Sequence, residues 1–268
     1  MDDLLRKLAP ISKDAWEAID DEAKKHLTVS LGGRRIVDFR GPLGWHASAV
    51  DLGSVRPVEG QPEPGVTAAL RQVQPLMELR APFELSRQTL ENIARGCRDP
   101  ELEPVRHAAR AIALAEDRAI FHGYAPAGIT GLFEASASNA LTLTRDYQRY
   151  PLVVSEALAR LHENGVGGGY AIALGPDCFK GLTGTATGGG YPVFEHVQRL
   201  IAGPVFWAPG VRGALVASLR GGDFELTVGR DLSIGYEDHS SASVRLYLQE
   251  SITFRVLSPE AAVPLVYR

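Results

Sequence analysis

The sequence predicts an α+β chain, and three observations carry that expectation. Near its end, Phe224, Leu226 and Val228 alternate with Glu225 and Thr227, and the runs 244–248 and 252–256 repeat the pattern, which is the two-residue period of half-buried strands. Over 12–31 and 104–122 apolar residues instead recur every three or four positions, as on amphipathic helices. The region from about 128 to 219 alternates helix-like and strand-like stretches, as a layered α/β arrangement does, so the β-rich flanks belong to a second layer.

At 268 residues the chain can bury one large core or two intertwined ones. A net charge of −4 lacks the basic excess of a nucleic-acid binder. No window of about twenty apolar residues offers a membrane span. The opening MDDLLRKLAP lacks the basic-then-apolar order of a secretory leader, so a cytoplasmic protein is expected. Cys97 and Cys178 are too few for a disulfide framework and show no metal-ligand spacing; thiols in a reducing compartment are expected.

In chain order, residues 4–10 end at Pro10 and read as an arm. Ser12 is placed to cap a helix, Asp14 favours its first turn, and Trp16, Ile19, Ala23, Leu27 and Leu31 form its stripe. Gly32 and Gly33 supply a left-handed stop, and 34–39 reads as a short strand. Residues 46–75 contain four prolines and too few apolar positions for a core. A two-stranded excursion onto a neighbouring subunit is expected there. Residues 75–85 return to strand, and Ser86 begins a helix with Leu90 and Glu91 inside and Gly96 beyond its end. Pro104 opens the longest helix, Val105, Ala108, Ala109, Ile112, Ala115, Ala119 and Ile120 form its stripe, and Gly123 stops it. Then come a helix over 151–164 with Leu152, Leu158 and Leu161 inward, a buried strand 170–174, and a short helix 177–182. A glycine-rich loop, a helix carrying Phe194, Val197, Leu200 and Ile201, and strands at 205–207 and 214–219 complete the middle.

Catalytic chemistry is hard to find. His26, His107, His122 and His162 lack the spacing that sets two ligands on one helix face, so no dedicated metal site is expected. Cys178 with a distant histidine could make a nucleophile pair, but nothing around it carries a signature, and a Cys/His hydrolase is the weakest alternative. Neither glycine cluster, 165–169 or 184–190, meets the context of a phosphate loop. Glu116 and Asp117 point in different directions and cannot form an acid/base pair; Glu116 is expected to meet Arg80 or another strand cation. Asp223, Asp231, Glu237 and Asp238 could hold a cation, but their spacing fits no calcium loop. The loop from Gly184 is small and polar enough to line an opening where several copies meet.

Several blocks together resemble one family. They are LAPISKDAWEAI near the start, GRRIVDFRGPLGW at 33–45, PLMELRAPFEL at 75–85, EDRAIFHGY at 116–124, GYPVFEHV at 190–197, and RGGDFELTVGRDLSIGYEDH at 220–239 with RLYLQESITF after it. The family is the encapsulin shell proteins, also called linocin-like or culture-filtrate-antigen-like, and the resemblance runs end to end. It implies a tailed-phage major-capsid fold: an N-terminal arm and helix (1–45), an extended loop (46–75), a peripheral domain (76–127 and 221–268) and an axial domain (128–220). It implies no catalysis, but many copies closing into an icosahedral nanocompartment. Such shells enclose a dye-decolourising peroxidase or a ferritin-like iron-storage protein, a cargo suited to oxidative stress, and ions or small molecules pass through pores.

The resemblance further implies that cargo docks through a C-terminal targeting peptide. The implied groove joins Leu27, Leu31, Arg34, Ile36, Asp38 and Phe39 to Asp231, Leu232 and Ile234, with Arg34 and Asp38 fixing the peptide's orientation. Replacing either is then expected to spare the shell and reduce loading. The five-fold pore is implied at Gly184, Thr185, Ala186, Thr187, Gly188, Gly189, Gly190 and Tyr191, a loop richer in Gly and Thr than its counterparts. Relatives that bind flavin use a tryptophan where this chain has Gln88, so no cofactor is expected. A phage or prophage capsid protein packaging DNA is the alternative, disfavoured by the acidic balance and by the helix 12–31 with its groove.

Overall fold

The computed structural model describes residues 3–267. The first helix, α1 (Lys13–Ser30), starts where Ser12 Oγ accepts from the Ala15 N–H at 3.2 Å, and it buries Ala15, Ile19 and Ala23. It does not end on a left-handed glycine. Gly32 has φ −78°, and a 3-10 turn, Gly33–Arg35, occupies the first part of the strand expected over 34–39, which forms only from Asp38. These glycines are needed for room: a Cβ on Gly33 would sit 2.6 Å from Ile120 Cδ1, and one on Gly32 3.0 Å from Ala208 Cβ.

Strand β1 (Asp38–Arg40) follows, then the hairpin β2 (Ala49–Pro57) and β3 (Ala69–Pro75), then β4 (Met77–Ser86) and α2 (Arg87–Ala94). The hairpin pairs only with itself and leaves Val55, Leu70 and Val73 about half exposed, as its poor core content implied. In α2, Leu90 is buried, but Glu91 faces solvent and pairs with Arg95, contrary to the inward position expected for it. The long α3 (Glu103–His122) carries Pro104 in its first turn and ends at Gly123, whose φ of 81° requires glycine.

The middle holds α4 (Leu132–Ala135), β5 (Leu141–Leu143), α5 (Tyr150–Glu163), β6 (Tyr170–Leu174), α6 (Pro176–Thr183), α7 (Val193–Ile201), β7 (Val205–Trp207) and β8 (Ala214–Ser218). In α5 the buried stripe is Tyr150, Val154, Ala157 and Leu161. Leu152, expected inward, is 68% exposed because it lies off that stripe.

The chain closes with β9 (Phe224–Val228), β10 (Ser233–His239), β11 (Ser243–Val256) and β12 (Ala262–Tyr267). Two five-stranded sheets result. One orders β1-β9-β11-β10, with β4 on the other side of β11; the second orders β5-β12-β8-β6-β7. The last strand, β12, pairs with β8 and β5, so residues 221–268, expected in one domain, contribute strands to both sheets.

The two runs read as separate strands, 244–248 and 252–256, are one strand. Val244, Leu246, Leu248, Ile252 and Phe254 share parity and burial, with Glu250 between them on the same face. Val244, Leu246 and Leu248 belong to an apolar cluster with α1, α2 and the first half of α3, whereas Ile252 and Phe254 belong to the cluster around the second sheet. On α3, Ile112 and Ile120 divide in the same way, with Glu116 between them. Both buried glutamates thus lie where two apolar cores meet.

Candidate functional site

A groove of about 600 Å³ runs between α1 and the edge of β10. Helix α1 contributes Ala23, Lys24, Leu27, Thr28 and the following Leu31; the β9–β10 turn and β10 contribute Asp231, Leu232, Ser233 and Ile234. Leu248, Arg34, Asp20 and the N-terminal Leu4 and Arg6 complete it. Of the nine residues implied by resemblance, six line this one hollow: Leu27, Leu31, Arg34, Asp231, Leu232 and Ile234.

The other three lie elsewhere. Ile36 is 6% exposed, and with Asp38 it lines a separate crevice near Gly221 and Phe224. Asp38 is occupied as a turn clamp, its Oδ2 accepting from the Gly222 N–H at 2.6 Å. Phe39 is 42% exposed with its ring 5.2 Å from the Arg34 guanidinium, outside the groove lining. Asp38 and Phe39 lie on β1 itself, which pairs with β9 and carries them away from the groove.

Arg34 is spoken for within the subunit. Its Nε donates to Glu116 Oε1 at 2.8 Å and its Nη2 to Glu116 Oε2 at 2.6 Å; Nη1 donates to Asp231 Oδ1 at 2.9 Å and Nη2 to Glu250 Oε2 at 3.1 Å. Glu116 and Glu250 are fully buried. Burial opposes the Arg34 charge, but Glu116, Asp231 and Glu250 outweigh it and hold its pKa above the ordinary value. The expected partnership of Glu116 with Arg80 is not formed; Arg80 stacks over Tyr247 and lies 3.8 Å from Glu237.

Beside this knot, Asp117 is also buried and accepts from the Gly33 and Gly32 N–H groups at 2.8 and 3.1 Å. Burial, only partly offset by those bonds, raises its pKa to about 7. Burial and the neighbouring Glu116 charge push Glu250 well above the usual carboxylate range, and Glu250 Oε1 lacks a hydrogen-bond partner. Several buried carboxylates share one guanidinium in a dry site, which favours the protonated form of Glu250 over its charged form.

Sequence reasoning missed Glu250, Asp117, Leu4, Lys24 and Thr28. A signal existed for Glu250: it is the one charged residue on an otherwise apolar strand parity. None marked Leu4, whose role comes from a contact with β10.

The loop implied as a pore is a tight turn. The Gly190 N–H donates to Thr187 O and the Thr187 N–H to Tyr191 O, both at 2.8 Å, and Gly190 has φ 80°. A Cβ on Gly188 would meet nothing within 4 Å. A second hollow, about 650 Å³, lies by His122, Phe133, Asp177, Arg212 and Tyr267 and contains none of the implied residues.

The nucleophile alternative finds no support in the geometry. Cys178 is buried, its Sγ lies 3.1 Å from Tyr267 Oη and 3.4 Å from Tyr150 Oη, and burial raises its thiol pKa, opposite to what a thiolate nucleophile needs. The four carboxylates considered for a cation are each occupied by an arginine: Asp223 by Arg220, Asp231 by Arg34, Glu237 by Arg80 and Asp238 by Arg245. Among the described residues no group of three or more His, Cys, Asp or Glu could hold a metal ion. Gln88 is engaged locally, donating to Asn92 Oδ1 at 2.8 Å.

A family model described as an encapsulating protein for peroxidase matches residues 1–253. The type 1 encapsulin shell protein of Rhodospirillum rubrum is 57% identical, the match covering 99% of this chain and 96% of the relative. That of Mycobacterium tuberculosis is 43% identical over 99% of both. Among solved structures, the virus-like particle from Pyrococcus furiosus aligns with TM-score 0.64 at 13% identity, covering 93% of this chain and 98% of its own. A structure from Mycobacterium phage Bobi aligns with TM-score 0.58 at 15% identity, covering 89% and 91%. At such identities the likeness is one of fold, the tailed-phage capsid fold.

Proposed function

This chain belongs to the encapsulin shell-protein family, and from that premise we propose that its groove captures a guest enzyme and its glycine-rich loop admits that enzyme's substrates. As a shell protein it works by assembling with copies of itself, not by catalysis. The guest is an oxidant-handling enzyme, a dye-decolourising peroxidase or a ferritin-like iron-storage protein, held inside by a C-terminal targeting peptide. The matched family's description as an encapsulating protein for peroxidase favours the first.

The observation that carries the docking reading is the convergence of six separately placed residues, from α1, the turn after it and the start of β10, on one hollow. Half of its lining residues are aliphatic, so a peptide gains by burying apolar side chains there, and the charged and polar other half can set its orientation. The loop from Gly184 to Tyr191 is read as the rim of a pore: its tip glycines face open space in the subunit, which leaves an aperture among copies free of bulk. Free Cys97 and Cys178 accord with a reducing, cytoplasmic setting.

Electron microscopy of the protein expressed alone should show hollow particles of uniform size. Enzyme recovered inside shells from the native cells should lose its place when its last residues are removed. Soluble monomers in the first case, or retained packaging in the second, would overturn the shell and docking readings respectively.

A further inference from the structure

The segment ahead of α1 touches the groove as a ligand would. The Leu4 carbonyl accepts from the Tyr236 N–H at 2.9 Å, and Leu4 lines the groove with Leu232 and Ile234. The segment is clipped on both sides, by Asp3 on Arg230 and by Arg6 donating to Asp20 at 2.7 and 3.2 Å. Between the clips Leu5 sits at φ 52°, ψ 21°, a left-handed conformation costly for leucine, and it is 40% exposed. The strain persists because the contacts on either side impose it.

The strand it touches has a free edge. β10 is covered by β11 on one side only. Along an antiparallel edge strand, alternate residues turn their N–H and C=O groups away from the partner. Tyr236 turns outward to Leu4, so Ile234, two positions earlier in the same register, turns its own peptide groups outward beside the groove. Unpaired main-chain groups next to an apolar trough are what an added strand requires.

We propose that the outward edge of β10 over 233–236 is a strand-addition site whose resident occupant is the chain's own segment 3–8, and that a guest's tail takes that segment's place. This rests on the reading that the groove receives the guest. The resident segment bends at Leu5 into a 3-10 turn over Arg6–Leu8, so the vacated positions define the tail's side chains and not its backbone: an acidic residue for Arg230, a leucine in the place of Leu4, and a basic residue two positions on for Asp20.

The test co-expresses the full-length chain with a fluorescent protein carrying residues 2–10 of this sequence, DDLLRKLAP, as its C-terminal tail. The double variant Leu4→Asp, Arg6→Glu, which unseats the resident segment, should package the reporter about tenfold more than the unaltered chain does. Amide exchange over 233–239 should speed up in the empty variant and slow again with the reporter inside. Equal packaging in both shells, or exchange that ignores the variant, overturns the proposal. If the double variant does not assemble, Arg6→Ala alone loosens one clip and is read the same way. Unchanged loading of the native guest in a Leu27→Asp shell would sink the groove reading while leaving the exchange result at β10 intact, so the two failures are separable.

Discussion

Arg34 and Glu116 form a two-pronged ion pair, Nε at 2.8 Å and Nη2 at 2.6 Å, between the turn after the first helix and the middle of the longest one. Glu116 sits on α3 between a residue of one apolar cluster, Ile112, and a residue of the other, Ile120; Glu250 sits likewise on β11 between Leu248 and Ile252. The pair therefore ties the turn after the N-terminal helix to the junction of both cores, with Arg34 also lining the groove beside α1.

Arg34 was expected from resemblance to be a cargo contact whose loss spares the shell. Its partners within the subunit predict a different outcome. Arg34→Ala leaves Glu116 and Glu250 buried without their cation and should cost about 3–5 kcal/mol. Urea unfolding of the subunit should show the loss, with few or no intact shells by microscopy. Arg34→Lys keeps the charge but not the two-pronged geometry, and should fall between. Normal shells from Arg34→Ala with only loading reduced would restore the first reading.

Asp117 and Glu250 set a pH dependence. Both have folded pKa values above the ordinary carboxylate value, Asp117 reaching about 7 from 3.8. A group that binds its proton more tightly when folded contributes stability fully below the unfolded value and loses it as pH rises through the folded one. Thermal stability should therefore fall from about pH 4 through pH 7 on account of Asp117, and Glu250, shifted in the same direction, adds to the decline. Glu250→Gln, which keeps the protonated shape, should flatten that decline. An unaltered profile would mean that Glu250 is not the proton carrier.

Asp38 and Leu27 separate the implied groove residues by location. Leu27→Asp places a charge in the trough and should lower guest loading by about tenfold or more with shells intact, measured by guest fluorescence per particle. Asp38→Asn should leave loading unchanged, because Asp38 faces the Gly222 turn instead. A loading defect from Asp38→Asn would place the peptide along β1.

Gly188 tests the aperture. Since a side chain there meets nothing within 4 Å in the subunit, Gly188→Trp should change subunit stability by no more than about 0.5 kcal/mol. It should nevertheless slow turnover of a bulky dye by an encapsulated peroxidase relative to hydrogen peroxide consumption with a small donor. Equal effects on both would remove the loop from the path of entry.

The sequence by itself determined the period of each element and hence which faces are apolar. The alternation on 224–228, the stripe on α3 with Pro104 before it and Gly123 after it, and the low apolar content of 46–75 all needed only local chemistry. Its blocks also sufficed for the family. Tertiary structure alone decided where charges go. Gly32 and Gly33 looked like a helix stop, but their smallness and their N–H groups serve Asp117, more than eighty positions away. The runs 244–248 and 252–256 read as two strands; the strand runs on through Glu250, whose carboxyl meets Arg34, 216 positions away. The last strand, β12, which lies in a stretch the resemblance placed with the first sheet's strands, pairs instead within the second sheet. Periodicity is a property of neighbours in the chain, whereas pairing of a buried ion or a strand edge depends on which distant partner reaches it, and no local pattern encodes that distance.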